Sequence, residues 1–394
     1  MRLLEEAECR GYYDTDTSVC SVCIEEPALQ AAIRRQGVAE PCDYCGTTPN
    51  VPEATLELEV VVQLVVEGLQ YEYEDPTQSA GWNSREGGWL VGTWDTEDLL
   101  AVHDVSGNGK LVDDIREAIV LDTWCRFDPY ADRPAEALRS GWSQFRDYVL
   151  HKRRYTFLAR DYTPTFGNEL SMDEVPGAIV TAVEQSGLVI PLNAGTVWWR
   201  ARVHQGPGES YASPGDLGSP PDQFARDNRM SPKGIGAFYG ASTREGALAE
   251  VAGYAGPSQD ATIGRFTQLA DLKVVDLRDS PPVPSLFDAA LRHLREPIKF
   301  MPNFIEDVTA VAQPGRDQVL EYIPTQIIAE HLRYDLDADG IIWRSARDPA
   351  VTSCVLFLPN AAMADLAAPA LVATASALLG LDSDSVDFVP APLA

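Results

Sequence analysis

The sequence is poor in positive charge, and it contains no long hydrophobic run. Its 31 lysines and arginines are outnumbered by 59 aspartates and glutamates, which gives a formal net charge of −28. The summed field of such a chain repels a phosphate backbone, so general affinity for nucleic acid is disfavoured. The best candidate for a membrane span, 60–69, is too short and contains Gln63 and Glu67. We therefore expect neither a nucleic-acid-binding nor a membrane protein.

Two further absences bear on localisation and cofactor chemistry. The first residues, MRLLEEAECR, lack the apolar stretch and cleavage site of a secretory signal, so the cytosol is the expected compartment. No G-x-G-x-x-G motif follows a predicted strand and no Walker A motif is present, which argues against Rossmann-type binding of a redox cofactor. A soluble chain of 394 residues with 45% hydrophobic content is expected to form two or three domains.

The cysteines are concentrated near the start of the chain. Two C-x2-C pairs, CSVC and CDYC, supply four thiols at a separation typical of zinc ribbons, namely Cys20, Cys23, Cys42 and Cys45. Four thiolates close a tetrahedral shell, so this zinc would be structural. Gly46 follows the second pair, where a tight turn needs positive φ. Disulfides are the alternative, disfavoured without a secretory signal. Cys9 lies at an irregular spacing and is not included.

The region after the cysteines has the apolar spacing of helices. Between the two pairs, PALQAAIRRQG predicts a short helix ended by Gly37. Further helices are predicted over 52–75 and 140–160, and in DTEDLLAVHD and LVDDIREAIVLD. Turn formers are frequent over 161–178, which predicts a domain boundary. We expect the domains to be a cysteine module over 1–50, a helical domain over 51–165 and a linker over 166–187.

One pair of residues in this region suggests a second chemistry. Arg146 and His151 have the R-x4–6-H spacing of HEPN ribonucleases, and such a pair could act on a ribose 2′-OH and its phosphate. Two residues at this spacing occur often by chance, and the same helix would pack Trp142, Phe145 and Tyr148. RNA cleavage is therefore kept as an alternative, which the acidic charge disfavours.

The second half of the chain alternates short strands with helices. LVIPLNAGTVWWRARV predicts a turn and then a strand, and the Gly/Pro-rich stretch after it has the length of a binding lid. RMSPKGIGAFYGAS predicts a strand entering the helix TREGALAEVAGY, YIPTQIIAEHLR predicts a helix, and DGIIWRSAR and SCVLFLP predict strands. We expect an α+β fold, with a mixed α/β domain over 188–365 and a carboxy-terminal helix and tail over 366–394.

Seven segments of this half resemble the RES domain family, in the order expected of it. They are WWRAR, LGSPP, RMSPKGIGAFYGAS, ALAEV, PTQIIAE, DGIIWRSAR and VLFLP, and they cover about residues 190–360. The resemblance implies a fold similar to ADP-ribosyltransferase toxins and consumption of NAD⁺ by hydrolysis or phosphorolysis. It also implies an antitoxin or immunity protein as partner, and it is compatible with a homo-oligomer. The cysteine ribbon, the helical region and an RYTF segment together resemble the HEPN-like domain attached to RES domains, as a regulatory or assembly element.

The resemblance also implies site residues. The arginine, glutamate and serine that name the family fall on Arg200, Glu250 and Ser345, with Tyr239 as the associated aromatic. RMSP stands where the family usually has Arg-Phe-Asn-Pro, so Ser231 replaces an asparagine. RSAR has one serine where two adjacent serines are common.

The chemistry gives each of these residues a role. Breaking the nicotinamide–ribose bond generates an oxocarbenium-like ribose, which the carboxylate of Glu250 would stabilise. Arg200 would hold the pyrophosphate through its planar fork of donors, with Arg202, two residues along the same strand face, as competitor or partner. Arg229 is a second candidate for a phosphate or ribose contact. Tyr239 would stack on nicotinamide, and Ser345 would hydrogen-bond the carboxamide or the ribose.

Two alternatives keep part of this interpretation. A protein ADP-ribosyltransferase would use the same residues with a different acceptor. A zinc-containing binding or regulatory module without activity would be favoured if Arg200, Glu250 and Tyr239 were dispersed in space.

Overall fold

The computed structural model describes residues 7, 9–157, 168–204, 206, 208–252, 259–310, 318–367 and 376–390. The chain forms two compact units. The amino-terminal unit consists of Met1–Asp132 and Val283–Glu296, and the carboxy-terminal unit consists of Arg133–Pro282 and Pro297–Ala394. Among the described residues, no helix has both the length and the apolar composition needed to cross a membrane.

The amino-terminal unit combines helices with small sheets. Its helices are α1 (Pro27–Gln36), α2 (Leu58–Glu72), α3 (Pro76–Ser79), α4 (Thr96–Val102) and α5 (Gly109–Ala118). Its strands are β1 (Ser18–Cys20), β2 (Thr55–Glu57), β3 (Tyr73–Glu74), β4 (Trp82–Asn83), β5 (Gly88–Trp89), β6 (Thr93–Asp95) and β7 (Thr123–Arg126). The three sheets are β1–β2, β4–β5 and β3–β7–β6.

The helices of this unit begin and end for local reasons. The α1 helix ends before Gly37, as predicted, and a Cβ on Gly37 would lie 2.6 Å from the Thr55 carbonyl oxygen. The helix predicted over 52–75 begins only at Leu58, because the residues before it pair with β1 as strand β2. Asp95 caps α4 by accepting a hydrogen bond from the Asp98 amide.

The core of the amino-terminal unit includes a segment that is distant from it in the sequence. Leu286 and Phe287 are buried with the apolar face of α2. Phe287 lies over Gly68, where any Cβ would come within 2.4 Å of its ring. Arg295 donates to the Glu72 carboxylate at 2.6 Å, and both side chains are largely buried. This unit is therefore completed by residues encoded within the second half of the sequence.

The carboxy-terminal unit contains the large sheet. Its helices are α6 (Pro134–His151), α7 (Val175–Gln185), α8 (Pro214–Leu217), α9 (Arg244–Ala252), α10 (Arg295–Thr309, whose first two residues count with the other unit), α11 (Gln318–Glu321) and α12 (Ile323–Asp335). Its strands are β8 (Val189–Leu192), β9 (Val197–Val203), β10 (Phe238–Ala241), β11 (Asp260–Gln268), β12 (Leu272–Leu277), β13 (Gly340–Arg344), β14 (Thr352–Leu356), β15 (Met363–Asp365) and β16 (Leu379–Pro390). Within the described ranges the sheet order is β15–β16–β11–β9–β10–β14–β13–β12–β8.

Most neighbouring strands of this sheet are antiparallel, and a helical layer covers one face. The pairs β12–β13 and β15–β16 are parallel, and the other neighbours are antiparallel. Helices α6, α7 and α12 pack together, and the core beneath them contains Trp142, Phe145, Phe300 and Phe304. The expected α+β fold is confirmed.

Two segments of this unit contain strands that the sequence analysis did not predict. The turn predicted before β9 is partly strand β8, because 189–192 pairs along the edge of β12. A carboxy-terminal helix and tail was predicted over 366–394, but the described part contains β16, which pairs along β11. Its alternation explains this, since Leu379 and Leu381 are buried on one face. Residues 368–375 and 391–394 lie outside the described residues.

The division into units differs from the sequence-based boundaries. It falls between Asp132 and Arg133, so α6 counts with the carboxy-terminal unit although it was expected in the helical domain. Helix α7 occupies part of the range that was expected to be a linker. Its apolar side chains explain the helix, because Val175, Ile179 and Val183 recur every four residues and are all buried.

Candidate active site

Glu250 lies near the end of α9, the helix that follows β10 almost directly. Its side chain is exposed, but one carboxylate oxygen accepts hydrogen bonds from two serine hydroxyls. The hydroxyl of Ser345, immediately after β13, donates to Glu250 Oε1 at 3.0 Å. The hydroxyl of Ser353, in β14, donates to the same oxygen at 3.4 Å. A helix-surface glutamate is thus fixed by hydroxyls from two neighbouring strands.

Tyr239 is tied to the turn that precedes β10. Its hydroxyl accepts the Met230 amide at 3.2 Å and lies 3.0 Å from the Ser231 hydroxyl. Ser231, the replacement for the family's asparagine, is therefore a direct partner of the tyrosine. Burial raises the pKa of Tyr239 to about 12, against the lowering effect of its Ser231 hydrogen bond. The phenol stays protonated at neutral pH, so it serves as a neutral hydrogen-bonding group and not as a base.

Arg229 belongs to the same turn, which α12 holds in place. Thr325 donates to the Arg229 carbonyl at 2.6 Å, and Gln326 donates to the Asn228 carbonyl at 2.8 Å. The Arg229 guanidinium donates to the Val308 carbonyl at 3.2 Å. Burial lowers the pKa of this guanidinium, and the neighbouring Tyr322 and Glu250 oppose that effect. A half-buried cation is thus placed within electrostatic reach of the carboxylate.

Arg200 is positioned against β10. Its guanidinium donates to the Tyr239 carbonyl at 2.8 Å and lies 5.2 Å from the ring of Phe238. In β9 it shares a strand face with Trp198, whose indole packs in the core cluster that contains Phe238. Arg200 therefore contacts β10 at the backbone of Tyr239 and at the ring of Phe238.

Two domain families match this chain. The HEPN/RES N-terminal domain 1 family matches residues 35–163, and the RES domain family matches residues 197–378. We call the segment that the RES domain family matches the RES domain. Among solved structures, a chain in the crystal structure of the M. tuberculosis MbcT–MbcA toxin–antitoxin complex is similar, with 14% identity over 54% of this chain and 92% of that one and a TM-score of 0.30. No curated protein matches this chain.

The structure places Arg202 apart from the other candidate residues of the RES domain. Its guanidinium lies 4.0 Å from the ring of Tyr211 and donates to the Asp216 carbonyl at 2.6 Å. In the part of the chain that is described, it makes no hydrogen bond to Arg200, Tyr239 or Glu250. Arg202 thus supports the segment between β9 and β10 rather than the group around Glu250.

That segment was expected to be a binding lid, and its described part is anchored by side chains of β9, of α12 and of the residues after β14. Asn360 donates to the carbonyls of Gly215 and Ser219 at 2.8 and 2.6 Å. Leu217, which lies between Gly215 and Ser219 in the sequence, is fully buried. Residues 205 and 207 lie outside the described residues.

Sequence reasoning missed three residues that shape the site, namely Thr325, Gln326 and Ser353. All three are polar and buried in elements whose neighbouring side chains are apolar. That contrast is the signal that could have found them, because a buried polar side chain is retained only with a hydrogen-bond partner. The segment PTQIIAE contributed to the resemblance, and the structure gives its Thr325 and Gln326 a physical task.

The residues of the ribonuclease alternative have structural partners. Arg146 forms an ion pair with Asp307 at 2.9 Å and lies 5.6 Å from the ring of Trp142. The same Asp307 accepts a hydrogen bond from the Trp142 indole at 3.0 Å. His151 is the last residue of α6 and is exposed. Arg146 is thus part of the packing around Trp142.

The four cysteines of the two C-x2-C pairs converge in the amino-terminal unit. Their sulfur atoms all lie within 4.8 Å of one another, with hydrogen-bond-range separations of 3.6 Å for Cys20–Cys23, 3.7 Å for Cys20–Cys45 and 3.8 Å for Cys23–Cys42. A tetrahedral ion with metal–sulfur bonds of about 2.3 Å requires sulfur atoms about 3.8 Å apart. Gly46 has φ +71°, as the tight turn requires. This donor set fits zinc, and Cys9 lies outside the cluster.

Proposed function

We propose that the RES domain cleaves NAD⁺ at its nicotinamide–ribose bond, as a glycohydrolase or a phosphorylase. The observation that carries this proposal is the Glu250 carboxylate, held by a buried serine in a domain matched to the RES family. A glutamate on a helix surface is ordinarily solvated and mobile. Fixing its carboxylate costs conformational entropy. That cost is offset where the fixed carboxylate stabilises a positive charge that develops next to it.

The reaction places its charges in a way that these side chains suit. As the bond breaks, its electron pair goes to the ring nitrogen and nicotinamide leaves as a neutral molecule, while positive charge grows on the ribose. Glu250 stabilises that charge from one side. Water then attacks C1′ to give ADP-ribose and a proton, or phosphate attacks to give a ribose phosphate ester. Glu250 is our candidate catalytic residue.

The arginines supply the charge that NAD⁺ needs in a protein of net charge −28. Arg200 and Arg229 flank Tyr239, one through its carbonyl and the other within its preceding turn. An arginine fork binds a pyrophosphate better than a lysine does, because two parallel donors match two oxygens. We assign the pyrophosphate to Arg200 and a phosphate or ribose contact to Arg229. Tyr239 offers a face for nicotinamide, and Ser345 acts here on the carboxylate.

The test is incubation of the purified protein with NAD⁺, with and without inorganic phosphate, followed by identification of products. Nicotinamide with ADP-ribose identifies a glycohydrolase, and a phosphorylated ADP-ribose formed only with phosphate identifies a phosphorylase. If nicotinamide is released while the label of adenine-labelled NAD⁺ remains on protein, the enzyme is an ADP-ribosyltransferase instead. Intact NAD⁺ under all conditions would refute the proposal for the full chain.

In the cell, we propose that this activity makes the protein a toxin controlled by an antitoxin or immunity protein. The support is the RES family itself, whose members include toxins that deplete NAD⁺. Expression in bacteria should slow growth and lower NAD⁺, and the Glu250→Gln variant should do neither. Equal growth inhibition by both proteins would separate toxicity from NAD⁺ cleavage.

We also propose that Cys20, Cys23, Cys42 and Cys45 hold one structural zinc ion. The separations of their sulfur atoms match a tetrahedral thiolate shell, which leaves no position for a substrate. The zinc would close the ends of the 20–45 segment and so stabilise the amino-terminal unit. Metal analysis of protein purified without chelators should find one zinc per chain.

A further inference from the structure

Ser353 is a buried serine in an apolar strand. It lies in β14 before Cys354, Val355 and Leu356, all of which are buried. Ser353 itself is only 4% exposed. A hydroxyl in such a place is unfavourable unless it forms a hydrogen bond, so alanine would serve the packing better. Some other requirement must keep a serine here.

The hydroxyl of Ser353 points at the Glu250 carboxylate. It donates to Oε1 at 3.4 Å, and Ser345 donates to the same atom at 3.0 Å. Ser353 pairs with Ala241 of β10 on one side and with Trp343 of β13 on the other. Because it is held by both neighbouring strands, the backbone that carries this hydroxyl is fixed by the sheet.

Two donors on one oxygen define the orientation of the whole carboxylate. Glu250 lies on α9 with three rotatable side-chain bonds, and one hydrogen bond would still allow rotation about it. A second donor on the same oxygen restricts that freedom. Among the described residues, Oε2 accepts no hydrogen bond, so it is the atom available to a developing positive charge.

We propose that Ser353 is a positioning residue that, together with Ser345, fixes the Glu250 carboxylate for the reaction. The proposal rests on the proposed function and assigns a role to a residue outside the Arg-Glu-Ser set. Ser353 acts through Glu250 and not on NAD⁺. Its removal should therefore lower kcat and leave KM nearly unchanged, because binding in the ground state does not depend on it.

The first experiment compares Ser353→Ala with wild type in NAD⁺ cleavage. We expect kcat to fall about 10-fold, the size of one hydrogen bond to a charged group at a long distance, with KM within about twofold. The matched control is Ser186→Ala, another buried serine of the same unit, whose hydroxyl has no partner among the described residues. An unchanged kcat, or a loss confined to KM, would overturn the proposal.

A double-variant comparison separates positioning from packing. In the Glu250→Gln background, Ser353→Ala should change the residual rate by less than about twofold, since the group it orients is already neutral. A packing defect would lower the rate about 10-fold in both backgrounds and would refute the proposal. If Ser353→Ala does not fold, Ser353→Cys keeps the volume, weakens the donor and takes its place in the same comparison.

A measurement independent of activity distinguishes failure of this inference from failure of the proposed function. Crystal structures of wild type and Ser353→Ala should show the Glu250 carboxylate in one orientation in wild type and in more than one in the variant, because one of its two donors is lost. If wild type leaves NAD⁺ intact, the proposed function is wrong, and an unchanged carboxylate orientation in Ser353→Ala would separately refute positioning by Ser353.

Discussion

The cysteine cluster and the RES site bring side chains together in opposite ways. In the cluster, four identical donors from a 26-residue stretch, 20–45, point at one centre and exclude any substrate. In the RES site, the side chains are of different kinds and come from segments between β9 and β14. They are one carboxylate, two hydroxyls and two arginines, and one oxygen of the carboxylate accepts no hydrogen bond among the described residues. We expect the first arrangement to stabilise the structure and the second to leave room for a reaction. Substitutions in the two regions should therefore affect different measurements.

The largest expected effect is on stability, in the cluster. Cys42→Ser replaces a buried ligand by a poor one, so zinc content should fall from one per chain to near zero. Structural zinc contributes an apparent ~10 kcal/mol in zinc-finger peptides, and we expect the amino-terminal unit to lose a large part of that. Cys9→Ser, outside the cluster, should change neither. Wild-type protein with far less than one zinc per chain would remove the contrast between the two regions.

Next in size is the effect of the carboxylate on rate. Glu250→Gln keeps the size and the hydrogen-bonding capacity of the side chain but removes its charge. If that charge contributes about 3–4 kcal/mol to the transition state, the rate should fall about 10²–10³-fold while NAD⁺ still binds. The matched control is Glu245→Gln, an exposed glutamate in the first turn of the same helix. Near-normal turnover by Glu250→Gln would make this carboxylate an ordinary helix-surface group.

The same contrast explains how far the sequence could be interpreted. The cysteine cluster follows from local spacing, because two C-x2-C pairs bring their sulfur atoms together wherever the chain can turn. The helices α1, α4 and α12 were also predicted, since caps and apolar periodicity are local signals. The α+β fold and the RES resemblance were predicted and are confirmed.

The RES site could be predicted only through the resemblance. Glu250 and Ser345 are 95 positions apart in sequence, and no periodicity connects them. The roles of Thr325 and Ser353 depend on tertiary contacts, so the sequence marks them only as polar residues among apolar neighbours. Strand β16 was missed for a similar reason, since its pairing with β11 is a tertiary contact.

A smaller effect is expected on substrate affinity. Arg200→Ala should raise KM about 10–100-fold, because phosphate contacts exist in the ground state and each charged hydrogen bond contributes about 1.5–3 kcal/mol. Arg202→Ala should raise it less, because that guanidinium lies against Tyr211 and the Asp216 carbonyl. Binding measured by calorimetry would check both, with Arg265→Ala as the control. Equal effects of the two variants would contradict our assignment of the pyrophosphate.

The smallest effect is expected at Arg146 and His151, which resemble a ribonuclease site only in their sequence spacing. Arg146→Ala and His151→Ala should leave NAD⁺ cleavage within about twofold. The Arg146–Asp307 pair has both side chains about one-third exposed, so its loss should cost about 1 kcal/mol or less. Asp307 also accepts from the Trp142 indole, which keeps a partner in the variant. Incubation with single-stranded RNA is the decisive measurement, because cleavage that Arg146→Ala abolishes would mean that this helix carries a second active site.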